Sequence, residues 1–213
     1  MSARELSIDV VSDVICPWCY IGKRRLEKAI ALLDDDIRVN IRWLPFQLNP
    51  DMPAGGMARA EYRKAKFGST ERARGLDARV AVEGQGEGIE FAFERIERTP
   101  NTVRAHQLID LAQKQGAGAQ VVDALFRAYF EEVQDVGDPA VLAAIAERCG
   151  VRDWPQAADR HEVASLEENL RELGISAVPT FVLDRRTAVS GAHPPQALAA
   201  AIRQALGEVQ AGV

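Results

Sequence analysis

Two cysteines separated by two residues, Cys16 and Cys19, mark the most constrained point of this sequence. Before them, residues 5–12 alternate between apolar and polar side chains and are rich in β-branched residues, which predicts a strand. After them, apolar side chains recur at helical spacing through residues 20–33, which predicts a helix. The cysteine pair therefore lies where a strand turns into a helix, and any fold of this chain must accommodate that junction.

The start of a helix favours the ionised form of a thiol. The backbone N–H groups of the first turn lack intrahelical partners, and the helix dipole places partial positive charge there. Since the thiolate is the form that attacks a disulfide, we expect Cys16 to be a nucleophile. Pro17 suits the first helical turn, where a missing N–H costs nothing, and Cys19 can close a short ring with Cys16. Half of a zinc site and two unpaired thiols are the competing interpretations of this spacing.

Composition limits the class of protein. The chain has 213 residues, of which 47% are hydrophobic and 27% charged, as in ordinary soluble globular proteins. A net charge of −5 gives no sign of a nucleic-acid or membrane surface, and no apolar run approaches the ~18 residues of a membrane span. Three cysteines are too few for a disulfide scaffold. Because no secretory signal is visible either, we expect a cytoplasmic protein.

The remaining pattern predicts a sheet whose strands are separated by helices. Residues 37–46 form a second strand, which the intervening helix makes parallel to the first. One or two helices are predicted over 57–83. The later predicted elements are helices over 102–115, 120–132, 138–149 and 156–173, a strand beginning after Pro179, a short strand over 187–190, and a last helix from Pro195 to about residue 209.

The string Ser12–Gly22, which contains the Cys-Pro-Trp-Cys motif, resembles the DsbA family of the thioredoxin superfamily, in particular its FrnE-like branch. Two further segments are similar to family signatures. Asn101–His106 carries an Asn-Thr pair leading to Ala-His, and Ser190–Pro195 resembles a Gly-Ala-Gln-Pro-Pro turn in which His193 replaces the more usual glutamine. The resemblance implies an α/β thioredoxin fold with a large inserted α-helical domain. It places residues 1–50 and 160–213 in the thioredoxin-like domain and residues 51–159 in the inserted domain.

The resemblance also implies the substrate site. In thioredoxin-like folds the proline before the third strand is cis and its loop faces the cysteines, so we expect a cis bond between Val178 and Pro179. That bend would expose the backbone N–H and C=O of Val178 to an extended substrate and would exclude metal from the dithiol. The expected substrate-binding residues are Val178, Pro179, Trp18 and His106. His106 has a second interpretation, as a helix histidine whose hydrogen bonds are satisfied without any function.

The sequence leaves the role of several side chains open between two interpretations. Asp13 is either a proton acceptor near Cys19 or an exposed turn residue, and Cys149 is either a buried core thiol or a redox or regulatory one. The basic side chains of 57–83 form either a solvated face or a rim that steers an anionic substrate such as glutathione. They are Arg59, Arg63, Lys64, Lys66, Arg72, Arg74 and Arg79.

No resident cofactor or metal is expected. Zinc needs about four ligands, and no second paired spacing accompanies Cys16 and Cys19; His161, on a polar helix, is most simply a surface residue. Glutathione is a candidate co-substrate. The expected partners are disulfide- or dithiol-containing proteins or small molecules, with no nucleic acid and no membrane, and no motif specifies an oligomeric state.

Three functions follow from these observations. We expect a thiol–disulfide oxidoreductase in which Cys16 attacks and Cys19 resolves, working in either direction or as an isomerase. A glutathione-dependent transferase or isomerase, of the kappa-class or chromene-carboxylate isomerase type, has a similar layout. There a serine commonly replaces the first cysteine, whereas this chain keeps both. The third function is non-enzymatic, a chaperone or interaction module with a vestigial dithiol.

Overall fold

A βαβ unit carries the cysteine pair in the computed structural model, which describes residues 4–158 and 160–207. Strand β1 (Arg4–Ser12) leads through a short turn into helix α1 (Pro17–Ile30), and strand β2 (Ile37–Pro45) returns parallel to β1. Alternation along β1 places its apolar side chains in the core, with Ile8 opposite Ile41 in the register. The predicted strand, helix and parallel strand are confirmed.

A long helical segment follows β2. Its elements are strand β3 (Met57–Ala58), helix α2 (Arg59–Phe67), helix α3 (Thr70–Gln85), strand β4 (Arg98–Thr99), helix α4 (Val103–Lys114), helix α5 (Gly118–Phe130), helix α6 (Pro139–Arg148) and helix α7 (Arg160–Glu172). Strands β3 and β4 pair antiparallel in a small sheet of their own, which the sequence did not predict because two-residue strands carry no periodicity. The predicted 57–83 segment divides at Gly68, whose φ is 87°, and Ser69 caps α3.

Helix α7 begins later than predicted. The sequence pattern indicated a helix from residue 156, whereas residues 153–157 form a turn in which the Ala157 N–H bonds to the carbonyl oxygen of Asp153 at 2.8 Å. This turn begins at Asp153, whose φ of 59° is left-handed, and it continues through residue 157, so the helix starts only after it. Residue 159 lies outside the described residues, as do the last predicted residues of the final helix.

The chain then completes the main sheet. Strand β5 (Thr180–Leu183) and strand β6 (Thr187–Ser190) form an antiparallel hairpin, and helix α8 (Pro195–Ala205) ends the described fold. The four-stranded sheet has the order β2-β1-β5-β6, with β5 antiparallel to β1. Helices α1 and α8 pack together, while α4 and α7 pack on β2. The α/β thioredoxin fold with a large helical segment between its strands is confirmed.

An aromatic cluster joins α1 to the helical segment. The Tyr20 ring stacks on Phe126 of α5 with centroids 5.0 Å apart, and its hydroxyl donates to the Glu131 carboxylate at 2.6 Å. Phe130 and Phe91 complete the cluster around it. Aromatic pairs of this geometry stabilise a fold by about 0.5–1.5 kcal/mol beyond their buried area. The helix that begins with the cysteines is therefore fixed to the elements that cover it.

Gly22 lets α1 approach the loop before β5. A Cβ atom at Gly22 would lie 2.9 Å from Pro179 Cγ and 3.3 Å from Phe181 Cζ. A proline ring cannot rotate away, so any larger residue here forces the helix and the loop apart. Gly75, a glycine of α3, has open space where its Cβ would stand.

We expect Gly22→Ala to lower the free energy of unfolding by about 1–3 kcal/mol, the usual effect of overpacking. Gly75→Ala is the matched control, since it adds the same methyl group to an open helical position and should stabilise the fold by up to about 1 kcal/mol. Urea denaturation followed by circular dichroism measures both values. An unchanged or raised stability of Gly22→Ala would contradict the close approach described above.

Candidate active site

Cys16 occupies the N-cap position of α1. Its backbone is extended (φ −90°, ψ 112°), and Pro17 takes the first helical position. The Cys16 carbonyl accepts the N–H groups of Cys19 at 3.0 Å and Tyr20 at 3.3 Å, while its own N–H donates to the Asp13 carbonyl at 3.0 Å. The predicted placement of a thiol at the start of a helix is confirmed.

The loop before β5 faces this thiol. The Val178–Pro179 peptide bond is cis, as the resemblance implied, and the Cys16 Sγ lies 3.8 Å from the Val178 carbonyl oxygen. Two hydrogen bonds hold the loop in place. The Thr180 hydroxyl donates to the Ala177 carbonyl at 2.8 Å, and the Gly191 N–H donates to the Pro179 carbonyl at 2.8 Å. The structure thus brings Cys16, Val178 and Pro179 together.

Cys19 lies deeper than Cys16, with 1% of its surface exposed. Burial raises the pKa of the Cys19 thiol well above its ordinary value of 9.0, and the neighbouring Cys16 sulfur raises this pKa further. Hydrogen bonds from the Asp13 N–H and the Ser12 hydroxyl oppose this effect only in part. Cys19 is consequently protonated at neutral pH. Both are free thiols here.

A cavity of about 960 Å³, which we call the Cys16 cavity, opens in front of the nucleophile. Cys16, Trp18 and Val178 form one side of it, and the helical segment supplies the other. Trp18 is 39% exposed, so its ring is available to a bound molecule. The apolar side chains that the helical segment contributes include Phe67, Leu76, Val80, Phe93, Tyr129 and Phe130.

Four of the seven basic residues singled out in the sequence line the Cys16 cavity: Arg59, Arg63, Lys66 and Arg79. Arg59 and Arg63 share Asp77, at 3.5 and 2.6 Å. Burial lowers the pKa of Arg63 and raises that of Asp77. With Glu83 as the second acidic lining residue, the basic side chains outnumber the acidic ones two to one. The cavity is therefore apolar with a positive rim.

Asp13 and His106 meet on another side of the dithiol. Asp13 is fully buried, and its Oδ2 accepts the Leu48 N–H at 2.8 Å. Its Oδ1 lies 3.5 Å from Nε2 of the buried His106. The interpretation of Asp13 as an exposed turn residue is therefore wrong, because Leu48 and α4 cover it. His106 lines a separate cavity of about 580 Å³, the His106 cavity, rather than the Cys16 cavity.

A comparison with protein families identifies this arrangement. The family model described as DSBA-like thioredoxin domain matches residues 7–203. The chain belongs to the DSBA-like thioredoxin domain family. Proteins of this family are generally oxidoreductases or isomerases, and DsbA-like proteins act on disulfide substrates.

Three solved structures are similar to this DSBA-like chain. A probable DsbA oxidoreductase of Streptomyces coelicolor shares 31% identity over 98% of this chain and 93% of its own, with a TM-score of 0.87. The cytosolic disulfide reductase DsbM of Pseudomonas aeruginosa, solved with GSH, shares 18% identity over 94% and 99%, with a TM-score of 0.63. 2-Hydroxychromene-2-carboxylate isomerase shares 18% over 96% and 100%, with a TM-score of 0.66. The latter two show the fold alone.

Other sequence candidates lie apart from the DSBA-like dithiol. Cys149 is half-buried at the C-cap of α6. It packs against the hydrophobic core, as the core-thiol interpretation expects, but it also lines a different surface cavity, so its burial is only partial. Burial nevertheless raises its pKa. His161 is exposed, as expected. His193 is exposed too, with Nε2 2.9 Å from the Ser190 carbonyl oxygen.

Sequence reasoning missed two contributions to the site. The aromatic wall from α5 shows in the sequence only as the apolar face of an amphipathic helix. Ser12, which contacts Cys19, was visible as the last strand residue before the motif.

Within the described parts of the chain, no helix is long and apolar enough to cross a membrane. No group of three His, Cys, Asp or Glu side chains in those parts is arranged to hold a metal.

We expect Cys19 to resist alkylation in the folded protein. In a Cys16→Ala, Cys149→Ser background, iodoacetamide should modify Cys19 slowly below its ordinary pKa of 9.0 and faster only as the pH rises well above it, because burial keeps the thiol protonated. Intact-mass spectrometry over a pH series measures the rate. The same protein in urea is the control, and equal rates in the folded and unfolded protein at neutral pH would contradict this assignment.

Proposed function

We propose that this protein is a thiol–disulfide oxidoreductase whose attacking nucleophile is Cys16. The observation that carries the proposal is the position of Cys16 between two environments. Its sulfur stands at the N-terminus of α1 and lines an open cavity, while Cys19 is sealed beneath it. A helix N-terminus stabilises an anion. Both cysteines are buried, with 5% of Cys16 and 1% of Cys19 exposed, but of the two only Cys16 lines the cavity that a substrate can enter.

The exchange proceeds in two balanced steps. The Cys16 thiolate attacks one sulfur of the substrate disulfide, forms a mixed disulfide, and releases the other substrate sulfur as a thiolate. Cys19 then loses its proton and attacks Cys16 Sγ, which closes the Cys16–Cys19 disulfide and releases the second substrate thiolate. Two electrons pass from the dithiol to the substrate. In the reverse direction a substrate dithiol is oxidised and the enzyme returns to its reduced form.

Val178 supports the binding half of this proposal. Its carbonyl oxygen stands next to Cys16, and an extended substrate can pair with the backbone at such a site as an added strand. Trp18 offers an exposed ring at the same opening. We therefore assign substrate binding to Val178, Pro179 and Trp18, whereas His106 lines the separate His106 cavity and is not part of this opening.

We expect Cys16→Ser to reduce exchange to the background rate and Cys19→Ser to accumulate mixed disulfides, because resolution then lacks its nucleophile. Both variants are made in a Cys149→Ser background, which serves as the wild-type control. Hydroxyethyl disulfide is the substrate, and intact-mass spectrometry under acid quench counts the adducts. Full turnover by Cys16→Ser would refute the proposal.

A glutathione-dependent transferase or isomerase is the alternative that this experiment separates. Such an enzyme activates glutathione without redox change, so it should survive Cys16→Ser. The positive rim of the Cys16 cavity is the observation that favours glutathione as a ligand, and the DsbM structure was solved with GSH. We propose glutathione as co-substrate of the exchange reaction, since both cysteines are retained and Cys16 lines the cavity.

We expect Arg79→Gln to raise the KM for oxidised glutathione about two- to five-fold with little change in kcat, as befits an exposed charge worth under about 1 kcal/mol. Arg79 lines the cavity, whereas Arg72 of the same helix does not, so Arg72→Gln is the matched control. Neutral hydroxyethyl disulfide should show no change with either variant. An equal effect on both substrates would contradict electrostatic recognition.

The reduction potential of the Cys16–Cys19 pair fixes the direction of exchange. Equilibration in glutathione buffers, followed by Trp18 fluorescence, should give a value of about −270 mV for a reductant or about −120 mV for an oxidant or isomerase.

We place the protein in the FrnE-like branch on its Ser12–Gly22 string, and in the cytoplasm. The small number of cysteines supports the cytoplasmic location.

A further inference from the structure

The lining of the Cys16 cavity holds more positive charge than its acidic residues balance. Of the two acidic lining residues, Glu83 pairs with Arg25 of α1, which does not line the cavity. Asp77 is the other, and it pairs with both Arg59 and Arg63 of α2. Two guanidinium groups therefore share one carboxylate, and one positive charge of this group has no counter-charge of its own.

The two guanidinium groups are also largely withdrawn from solvent. The side chains of Arg59 and Arg63 are 11% and 15% exposed. Burial lowers the pKa of the Arg63 guanidinium, and the neighbouring Arg59 charge lowers it as well, although Asp77 opposes both effects. A charge removed from water is costly unless a counter-charge joins it. An added anion would therefore be stabilised at this point of the cavity.

Thr99 offers a free hydroxyl near these charges. It lines the same cavity and is 1% exposed, and its Oγ1 has no hydrogen-bond partner within the described residues. Burial raises the pKa of Tyr129 to about 12, and both Arg59 and Thr99 oppose this rise from close by, which places the Thr99 hydroxyl near the Arg59 guanidinium. An unpartnered buried hydroxyl is costly, and donation to a bound carboxylate would satisfy it.

Most of the remaining lining of the Cys16 cavity is apolar. Its volume of about 960 Å³ lies within the range of small-molecule sites. Apolar walls stabilise a ligand that removes its own apolar surface from water. Glutathione supplies charge but little apolar surface, so it accounts for the positive rim and not for these walls. A ligand that matches the whole cavity has an apolar body and an anionic end.

We propose that the substrate of the Cys16 cavity is a small amphipathic disulfide whose carboxylate binds to Arg59, Arg63 and Thr99. The inference rests on the proposed function, for which it names the substrate class. Guanidinium groups donate paired hydrogen bonds to a carboxylate, and the apolar body fills the cavity between them and Cys16. In the reductive direction two electrons pass from the dithiol to the substrate, whose disulfide becomes two thiols. Two molecules of glutathione then restore the dithiol and become glutathione disulfide.

Two disulfides that differ only in charge test the substrate class. The disulfide of mercaptohexanoic acid ends in carboxylates, whereas that of mercaptohexanol ends in hydroxyls on the same apolar chain. Reduced protein in a Cys149→Ser background is mixed with each, and mass spectrometry after acid quench gives the second-order rate constant of its oxidation. The ratio of the two rate constants cancels any general loss of activity.

We expect the wild-type protein to favour the acid about ten-fold, the usual effect of a hydrogen bond to a charged group. Arg63→Gln should reduce this ratio to about two-fold or less. Arg74→Gln is the matched control and should keep the ratio, because Arg74 lines a neighbouring cavity but not the Cys16 cavity. Arg59→Gln carries the test if Arg63→Gln does not fold.

Asp77→Asn distinguishes a binding role of this group from a structural one. Asparagine keeps an acceptor for Arg63 but removes the charge that competes with the ligand. The probe is octanoate, which contains no sulfur, so its dissociation constant, measured by isothermal titration calorimetry, does not depend on exchange. We expect Asp77→Asn to bind octanoate about three- to five-fold more tightly and Arg63→Gln to bind it about ten-fold more weakly. Octanol and acetate, which each lack one half of the ligand, should bind the wild-type protein at least about ten-fold more weakly than octanoate does.

The outcomes separate the two proposals. If octanoate binds as expected but neither disulfide oxidises the wild-type protein, the proposed function fails while the carboxylate site stands. If both disulfides react at equal rates, the function stands and the substrate class is wrong. Weaker binding of octanoate to Asp77→Asn would also overturn the carboxylate site, since the loss of a merely structural contact lowers affinity whatever its charge.

Discussion

The close contact between α1 and the Pro179 loop is the interaction on which the site depends. Only a glycine at position 22 allows the helix to pack this tightly against the proline ring. The contact sets the distance between Cys16, which caps α1 six residues before Gly22, and the Val178 carbonyl, one residue before the proline. A nucleophile and a substrate-binding backbone that come from opposite ends of the chain are thereby held in one geometry. Without it, the dithiol would still cap a helix but would face no binding surface.

The helical segment is attached to the same helix on its other side. Tyr20 stacks on Phe126, and the buried Lys23 ammonium bonds to the Asp123 carboxylate at 2.8 Å. Both contacts are to α5, which also supplies Tyr129 and Phe130 to the wall of the Cys16 cavity. Helix α1 therefore serves as a common support, since it carries the cysteines and positions both the strand side and the helical side of the cavity around them.

Local features of the sequence were enough to predict the centre of the site. The strand, the Cys-Pro-Trp-Cys motif and the following helix are adjacent in the chain, so propensity and spacing determine their arrangement. The partners of Asp13 were beyond such reasoning, because Leu48 and His106 reach it only after β2 and α4 have packed. Burial of Cys149 was predicted only in part for a related reason. Its helical face is apolar and packs against the core, but the helix ends at that residue, and the thiol is left half-buried.

The outer wall of the Cys16 cavity is built differently from the rest of the protein. Helix α2 has no buried residue. It is held by the pairing of Arg59 and Arg63 with Asp77 of α3, and by the Arg59 guanidinium 5.6 Å from the centroid of the Phe93 ring. Charge pairs are screened by salt, whereas apolar burial is not. The attachment of α2 therefore rests on charge pairs rather than on apolar burial, which makes this side of the entrance to the nucleophile more sensitive to its ionic surroundings than the apolar core of the sheet.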